Sequence, residues 1–174
     1  MKEMVRYGVT LSLICAVAAA SLAAVNLLTK SRIIAQAQAE EETALKDVLP
    51  QAARFEPVKK DGETIYYKAF DAQGKFSAVA FTAAQKGYSS VIQTMVGMNR
   101  DGVISAIKVI SQNETPGLGS GVTSPDFCGQ FSGKPIDGLA GVSAITGASI
   151  SSKAVIDSVK NKAQEIKELI RNEG

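Results

Sequence analysis

Hydrophobic and polar positions form successive patterns along the chain. From Tyr7 to Leu28 the residues are almost all apolar and none is charged. Between residues 31 and 49 apolar residues recur mostly at three- and four-residue steps, and from residue 64 to 110 short apolar runs alternate with turn residues. Residues 151–171 return to helical spacing. The pattern predicts a helical start, a β-rich middle and a helical end.

The first apolar segment is long enough to cross a membrane. A helix over residues 7–28 spans about 33 Å, which matches the hydrocarbon core of a bilayer. We interpret residues 1–6 as a short tail and residues 7–28 as an uncleaved transmembrane helix. A cleaved signal peptide is the alternative, but the apolar run is long for one. Two basic residues flank the segment on each side, so charge does not fix its orientation.

The next segment, residues 29–50, reads as a membrane-proximal helix that stops at Pro50. Its apolar stripe is expected to dock on the domain that follows: Ile33, Ile34, Ala37, Ala44, Leu45, Val48 and Leu49.

Residues 51–174 are expected to form one α+β domain. Two hairpins fit the spacing of the β-type runs: Thr64–Phe70 with Phe76–Phe81, and Ser90–Met98 with Val103–Ile110. A loop rich in Gly and Pro follows, and a closing helix is predicted over Ser151–Arg171. Its buried stripe should contain Val155, Val159, Ala163, Ile166 and Leu169 or Ile170.

Composition excludes several kinds of chemistry. The 174 residues include no His and two Cys, which removes His-ligated haem, His-containing zinc sites and His-dependent catalytic triads. Cys15 lies within the apolar segment, so it cannot form a disulfide with Cys128 in an aqueous domain. A net charge of +2 gives no basic face for nucleic acid. Redox chemistry would therefore need an organic cofactor.

Two glycine-containing segments are candidates for ligand contact. Residues 114–121 read Glu-Thr-Pro-Gly-Leu-Gly-Ser-Gly, which indicates a turn or a close approach to a flat ligand. Residues 143–149 read Ser-Ala-Ile-Thr-Gly-Ala-Ser and lead into the closing helix. The hydroxyls at the start of this helix have two interpretations. Ser151 or Ser152 caps the free backbone amides of the helix, or the helix N-terminus binds a phosphate. The residues alone leave both alternatives open.

In this order, the two segments resemble the FMN-binding domain family. The likeness also includes the N-terminal anchor, Lys86-Gly87-Tyr88 and Gln130–Lys134. It is strongest to the branch of Rnf electron-transport G subunits, which is related to the C subunits of sodium-pumping NADH:quinone oxidoreductases. Members carry FMN esterified through its phosphate to a hydroxyl in the motif Asp-x-x-Ser/Thr-Gly-Ala-Thr. Here Ser149 replaces the acceptor Thr, and Ser143 stands where Asp is expected.

The resemblance implies a set of cofactor-binding residues. FMN would be attached to Ser149, with Thr146, Gly147 and Ala148 completing the motif. Residues of the first segment would lie beside the flavin: Glu114, Thr115, Gly117 and Leu118. Lys134 and Lys153 are candidates for neutralising the phosphate, although a surface position without such a role is the more common outcome for lysines. Tyr88 is expected in the core, with stacking on the ring as its alternative.

The implied function is electron carriage, with no catalysis by the subunit alone. The family's complex couples ferredoxin and NAD redox chemistry to Na⁺ or H⁺ transport. Implied partners are the other membrane subunits and a flavin transferase, with the FMN domain on the extracytoplasmic side of the inner membrane. The alternatives are a subunit of the quinone reductase, another extracytoplasmic flavin carrier, or a flavin-free binding module.

Overall fold

The computed structural model describes residues 2–60 and 62–173, which divide into two compact units, residues 1–40 and 41–174. Helix α1, Lys2–Val48, extends from the first unit into the second. Residues 2–6 are helical and belong to α1, and the second unit begins at residue 41, before the expected start of the domain at residue 51.

Among the described residues, α1 is the one helix that is long and apolar enough to cross a membrane. A signal sequence would meet the same criterion. Ile33 and Ile34 of the predicted stripe are 59% and 49% exposed, and Ala37 is exposed as well.

The second unit contains one antiparallel sheet of five strands in the order β1-β2-β3-β4-β5. The strands are β1 Arg54–Lys60, β2 Glu63–Phe70, β3 Phe76–Lys86, β4 Val91–Asn99 and β5 Ile104–Ser111. Both predicted hairpins are confirmed as β2–β3 and β4–β5, and β3 also pairs with β4. The sequence analysis missed β1, an edge strand that lacks a buried residue among those described.

The chain after β5 contains short helical segments and then a long helix. Helix α2 is Pro125–Gly129, two 3-10 turns cover Gly119–Thr123 and Ile136–Gly141, and α3 is Ser149–Glu173. The apolar stripe of α3 contains the predicted residues, and it covers one face of the sheet. Val155, Val159, Ala163 and Ile166 are almost fully buried. These elements confirm the α+β class.

The opposite face of the sheet is covered by the end of α1. Ala44, Leu45 and Val48 pack there with Leu49, and the Lys108 ammonium forms an ion pair with Asp47. The Tyr67 hydroxyl donates to Glu41 at 2.8 Å. Burial, followed by the bond to Glu41, raises the pKa of Tyr67 to about 12. The docking prediction is therefore confirmed for this part of the helix.

Candidate functional site

A cleft of about 550 Å³ lies between the loop after β5 and the start of α3. The two glycine-containing segments of the sequence thus meet in space. The lining residues are Tyr88, Glu114, Thr115, Leu118, Gly119, Gly147, Ala148, Ser149, Ile150 and Ser151.

Ser149 is the first residue of α3, which begins two residues earlier than predicted. Its side chain is exposed, and its hydroxyl forms no hydrogen bond with the described residues. Gly147, two residues before it, has φ +80°, a conformation that favours glycine. The chain therefore turns into the helix so that a free hydroxyl stands at the edge of the cleft.

Two hydroxyls within the first turn of α3 have structural partners. Ser151 donates to Glu114 Oε2 at 2.6 Å, and the Ser152 hydroxyl accepts from the backbone amide of Ile145 at 3.0 Å. The prediction that Ser151 or Ser152 caps the free amides of α3 is wrong, because both lie inside the helix and bond to other segments.

Glu114 joins the two walls of the cleft. Its side chain is 5% exposed and accepts hydrogen bonds from three consecutive backbone amides, Tyr88, Ser89 and Ser90, at 2.9 to 3.1 Å. Burial raises the pKa of Glu114, but the bonds from Ser151 and these amides outweigh it and lower the pKa to about 2. Glu114 is therefore ionised at neutral pH.

Two glycines make room for this carboxylate. A Cβ on Gly119 would lie 2.7 Å from Ser151 Oγ and 2.8 Å from Glu114 Oε2, and one on Gly87 would lie 2.9 Å from Glu114 Oε1. Both positions therefore require glycine for close packing. In contrast, nothing lies within 4 Å of a Cβ on Gly117, whose φ of +76° is the reason for glycine there.

The edge of the cleft is apolar and open to solvent. In the second unit, the large hydrophobic side chains that are exposed among the described residues are Tyr88 at 68%, Val91 and Leu118 at 51%, and Ile150 at 57%. All of these except Val91 line the cleft. The expectation of a core Tyr88 is wrong, because its side chain lies at the cleft instead.

The cleft collects most of the predicted site residues. Glu114, Thr115, Leu118, Gly147, Ala148 and Ser149 line it, whereas Thr146, Gly117, Lys134 and Lys153 do not. Three lining residues were not in the predicted set: Ile150, Gly119 and Ser151. Gly119 does lie in the loop that was expected to approach a flat ligand, and Ser151 was considered as a helix cap. Ile150 carried a usable signal, since it is a large apolar residue outside the buried stripe of α3.

Ser143, at the motif position where Asp is expected, is held through its backbone. Its amide donates to Gln130 Oε1 at 2.8 Å, and its carbonyl accepts from Gln130 Nε2 at 3.4 Å. Its side chain is exposed. The described residues contain no group of His, Cys, Asp and Glu that could hold a metal ion.

This arrangement suits a flat, partly apolar ligand that carries a phosphate. Apolar side chains can cover a ring system, and the first backbone amides of a 25-residue helix favour an anion. A free hydroxyl at the same helix end can form an ester with that phosphate by displacing another group from phosphorus and losing its proton. These features fit the chemistry of a flavin nucleotide.

Comparison with known proteins agrees with the geometry. A family model described as the FMN-binding domain matches residues 87–164, and one described as the RnfG N-terminal region matches residues 1–48. The crystal structure of NqrC from Shewanella oneidensis is similar with a TM-score of 0.51, 26% identity and coverage of 66% of each chain.

Two curated relatives match almost the full chain. The G subunit of the ion-translocating oxidoreductase complex of Methanosarcina acetivorans is 38% identical over 91% of this chain and 92% of its own. The G subunit of the Na⁺-translocating ferredoxin:NAD⁺ oxidoreductase complex of Acetobacterium woodii is 33% identical over 94% and 91%. The chain therefore belongs to the G subunits of Rnf-type ion-translocating oxidoreductase complexes and carries their FMN-binding domain.

Proposed function

We propose that the cleft holds FMN bonded through its phosphate to Ser149 Oγ, and that this subunit carries electrons within a membrane complex. The observation that supports the proposal is the free hydroxyl of Ser149 at the start of α3, beside the exposed Leu118, Ile150 and Tyr88. A flavin supplies one- and two-electron chemistry when bound. The protein supplies binding, orientation and attachment.

The start of α3 stabilises the phosphate. The first amides of a helix have no acceptor within that helix, and the helix dipole favours negative charge there. Gly147 allows the motif to turn, and Thr146 and Ala148 flank it on the way to Ser149. Lys134 and Lys153 are not needed for this role, because neither lines the cleft.

The loop after β5 forms the opposite wall. A Cβ on Gly147 would lie 3.5 Å from Leu118 Cδ2, so the Leu118 side chain reaches across to the attachment motif. Leu118 covers the ring, the exposed Thr115 offers a hydroxyl to ring oxygens, and Gly117 forms the turn between them. The buried Glu114 holds this wall in place through its hydrogen bonds.

The attached carrier acts in an assembly. We expect α1 to anchor the subunit in the inner membrane, with the FMN domain on the extracytoplasmic side and electrons passing between neighbouring subunits. The reaction of the assembly is ferredoxin:NAD⁺ oxidoreduction coupled to transport of Na⁺ or H⁺. The sequence contains no His to act as a general base on a substrate, and we expect the subunit to work as a relay. The match to NqrC makes the quinone reductase the alternative, but residues 1–48 favour the Rnf assembly.

The attachment is tested by expressing the chain with a flavin transferase and measuring intact mass and flavin fluorescence on a denaturing gel. Wild type and Ser149→Thr should carry one FMN ester, and Ser149→Ala should carry none. Ser89→Ala, which removes another exposed hydroxyl close to the cleft, is the matched control and should keep the adduct. An adduct that persists in Ser149→Ala, or none in wild type, would overturn the proposal.

A further inference from the structure

We infer that Glu114 is a positioning residue that also sets the flavin's reduction potential, by placing an uncompensated negative charge in the wall of the cleft. The inference rests on the proposed function, because it needs a flavin in this cleft. The inferred role of Glu114 depends on the charge of its carboxylate and not on a hydrogen bond to the flavin ring.

The carboxylate is saturated by donors from the protein. Oε1 accepts from the amides of Ser89 and Ser90 and from the Ser90 hydroxyl at 3.3 Å, and Oε2 accepts from the Tyr88 amide and the Ser151 hydroxyl. An ionised carboxylate has about four lone-pair sites. Glu114 therefore has little capacity left to bond a ligand directly, and its effect on one is through charge.

That charge has no cationic partner. No Lys or Arg of the described residues forms a salt bridge with Glu114, and its donors are neutral amides and hydroxyls. With 5% of the side chain exposed, solvent screens the charge poorly. Its field therefore acts on whatever occupies the cleft that Glu114 lines.

The sign of the effect follows from charge balance. When a flavin takes up two electrons from a reductant and one proton from solvent, it gains one net negative charge. Glu114 opposes that gain, so it lowers the reduction potential. The same carboxylate holds Ser151, two residues after Ser149, and so fixes the first turn of α3.

The test is a redox titration of the flavin in the purified full chain, with dithionite as the reductant. Glu114→Gln removes the charge at similar size and should favour reduction by about tenfold in the equilibrium constant, which is about 30 mV for a two-electron couple. Glu114→Asp and Ser151→Ala keep the charge and should stay within twofold of wild type or shift the other way. Glu168→Gln, on the exposed side of α3, is the charge-removal control and should not change the potential.

The outcomes separate this inference from the proposed function. Wild type without the FMN adduct defeats the proposed function. If wild type and Glu114→Gln both carry the adduct and have equal reduction potentials, the inference alone is overturned. It is also overturned if Ser151→Ala raises the reduction potential as much as Glu114→Gln does, since the rise would then come from loosened packing. If Glu114→Gln does not fold, Glu114→Asp and Ser151→Ala can still overturn the inference: a tenfold rise in either would show that the potential follows the packing of the site and not the charge.

Discussion

At the scale of single residues, the site depends on which polar groups are already bonded and which are free. Glu114, Ser151 and Ser152 use their polar atoms within the protein, whereas the hydroxyl of Ser149 has no partner among the described residues. Serine is thus bonded within the protein at positions 151 and 152 and has a free hydroxyl at position 149, where we propose that FMN is attached. The hydroxyls differ because Ser149 is the first residue of α3, whereas Ser151 and Ser152 lie inside the helix.

Glu114 should make stability depend on acid pH. Its folded pKa of about 2 lies below the unfolded value of about 4.3, so its stabilisation is complete above the unfolded value and is lost as pH falls through the folded value. The free energy of unfolding of wild type should exceed that of Glu114→Gln by about 3 kcal/mol at pH 7, and the gap should shrink between pH 5 and pH 2. Urea unfolding of the full chain in detergent measures it.

The control is Glu56→Gln, which removes an exposed carboxylate paired with Arg54. Its effect should stay below about 0.5 kcal/mol across the same pH range. A gap for Glu114→Gln that does not change with pH would show that the carboxylate's charge contributes nothing to stability.

At the scale of elements, close contact between the end of α1 and strand β4 depends on Gly97. A Cβ there would lie 2.6 Å from the Val48 carbonyl oxygen and 2.9 Å from Leu49 Cγ. The nearest atom belongs to the backbone, so no rotamer change relieves the clash. Gly97 therefore sets how closely the helix end can approach the sheet.

Gly97→Ala should lower the free energy of unfolding of the second unit by about 1–3 kcal/mol, because the helix end must shift away from the sheet. Chemical unfolding of the full chain, followed by circular dichroism, provides the measurement. Gly129→Ala is the matched control: nothing lies within 4 Å of its Cβ, and its effect should be within about 0.5 kcal/mol. Equal effects of the two substitutions would contradict the packing argument.

Hydrophobic periodicity predicted the elements well, since it depends on neighbours in sequence. It identified α1, the two hairpins and the stripe of α3, but it missed β1, whose alternation is weak and which contains Pro57. It could not show that Glu114 bonds residues 24 to 26 positions earlier, or that Tyr88 lies at the cleft. Such contacts depend on the register of the sheet, which no local pattern encodes.

At the scale of the whole molecule, the two units contribute different properties. The first presents an apolar helix with almost every residue exposed, and the second contains both buried cores and the cleft. Burial raises the pKa of the half-buried Cys128 thiol, so we expect this cysteine to react slowly with thiol reagents. An introduced surface cysteine can therefore report which side of the membrane the second unit occupies.

Gln164→Cys, made in a Cys15→Ala background, places a thiol on the exposed side of α3. An impermeant maleimide should label it in right-side-out membrane vesicles and not in sealed inside-out vesicles, because we expect the FMN domain on the extracytoplasmic side. The Cys15→Ala chain without the new cysteine is the control and should remain nearly unlabelled. The reverse pattern would place the domain in the cytoplasm.

The order of the strands has a consequence for maturation. Each strand pairs with its neighbour in sequence, so the hairpins can form one after another as the polypeptide leaves the ribosome. Ser149 and Ser151 are synthesised after all five strands, and the bond from Ser151 to Glu114 forms when α3 docks. A modifying enzyme that recognises the docked helix would thus act on finished molecules and pass over nascent or misfolded ones.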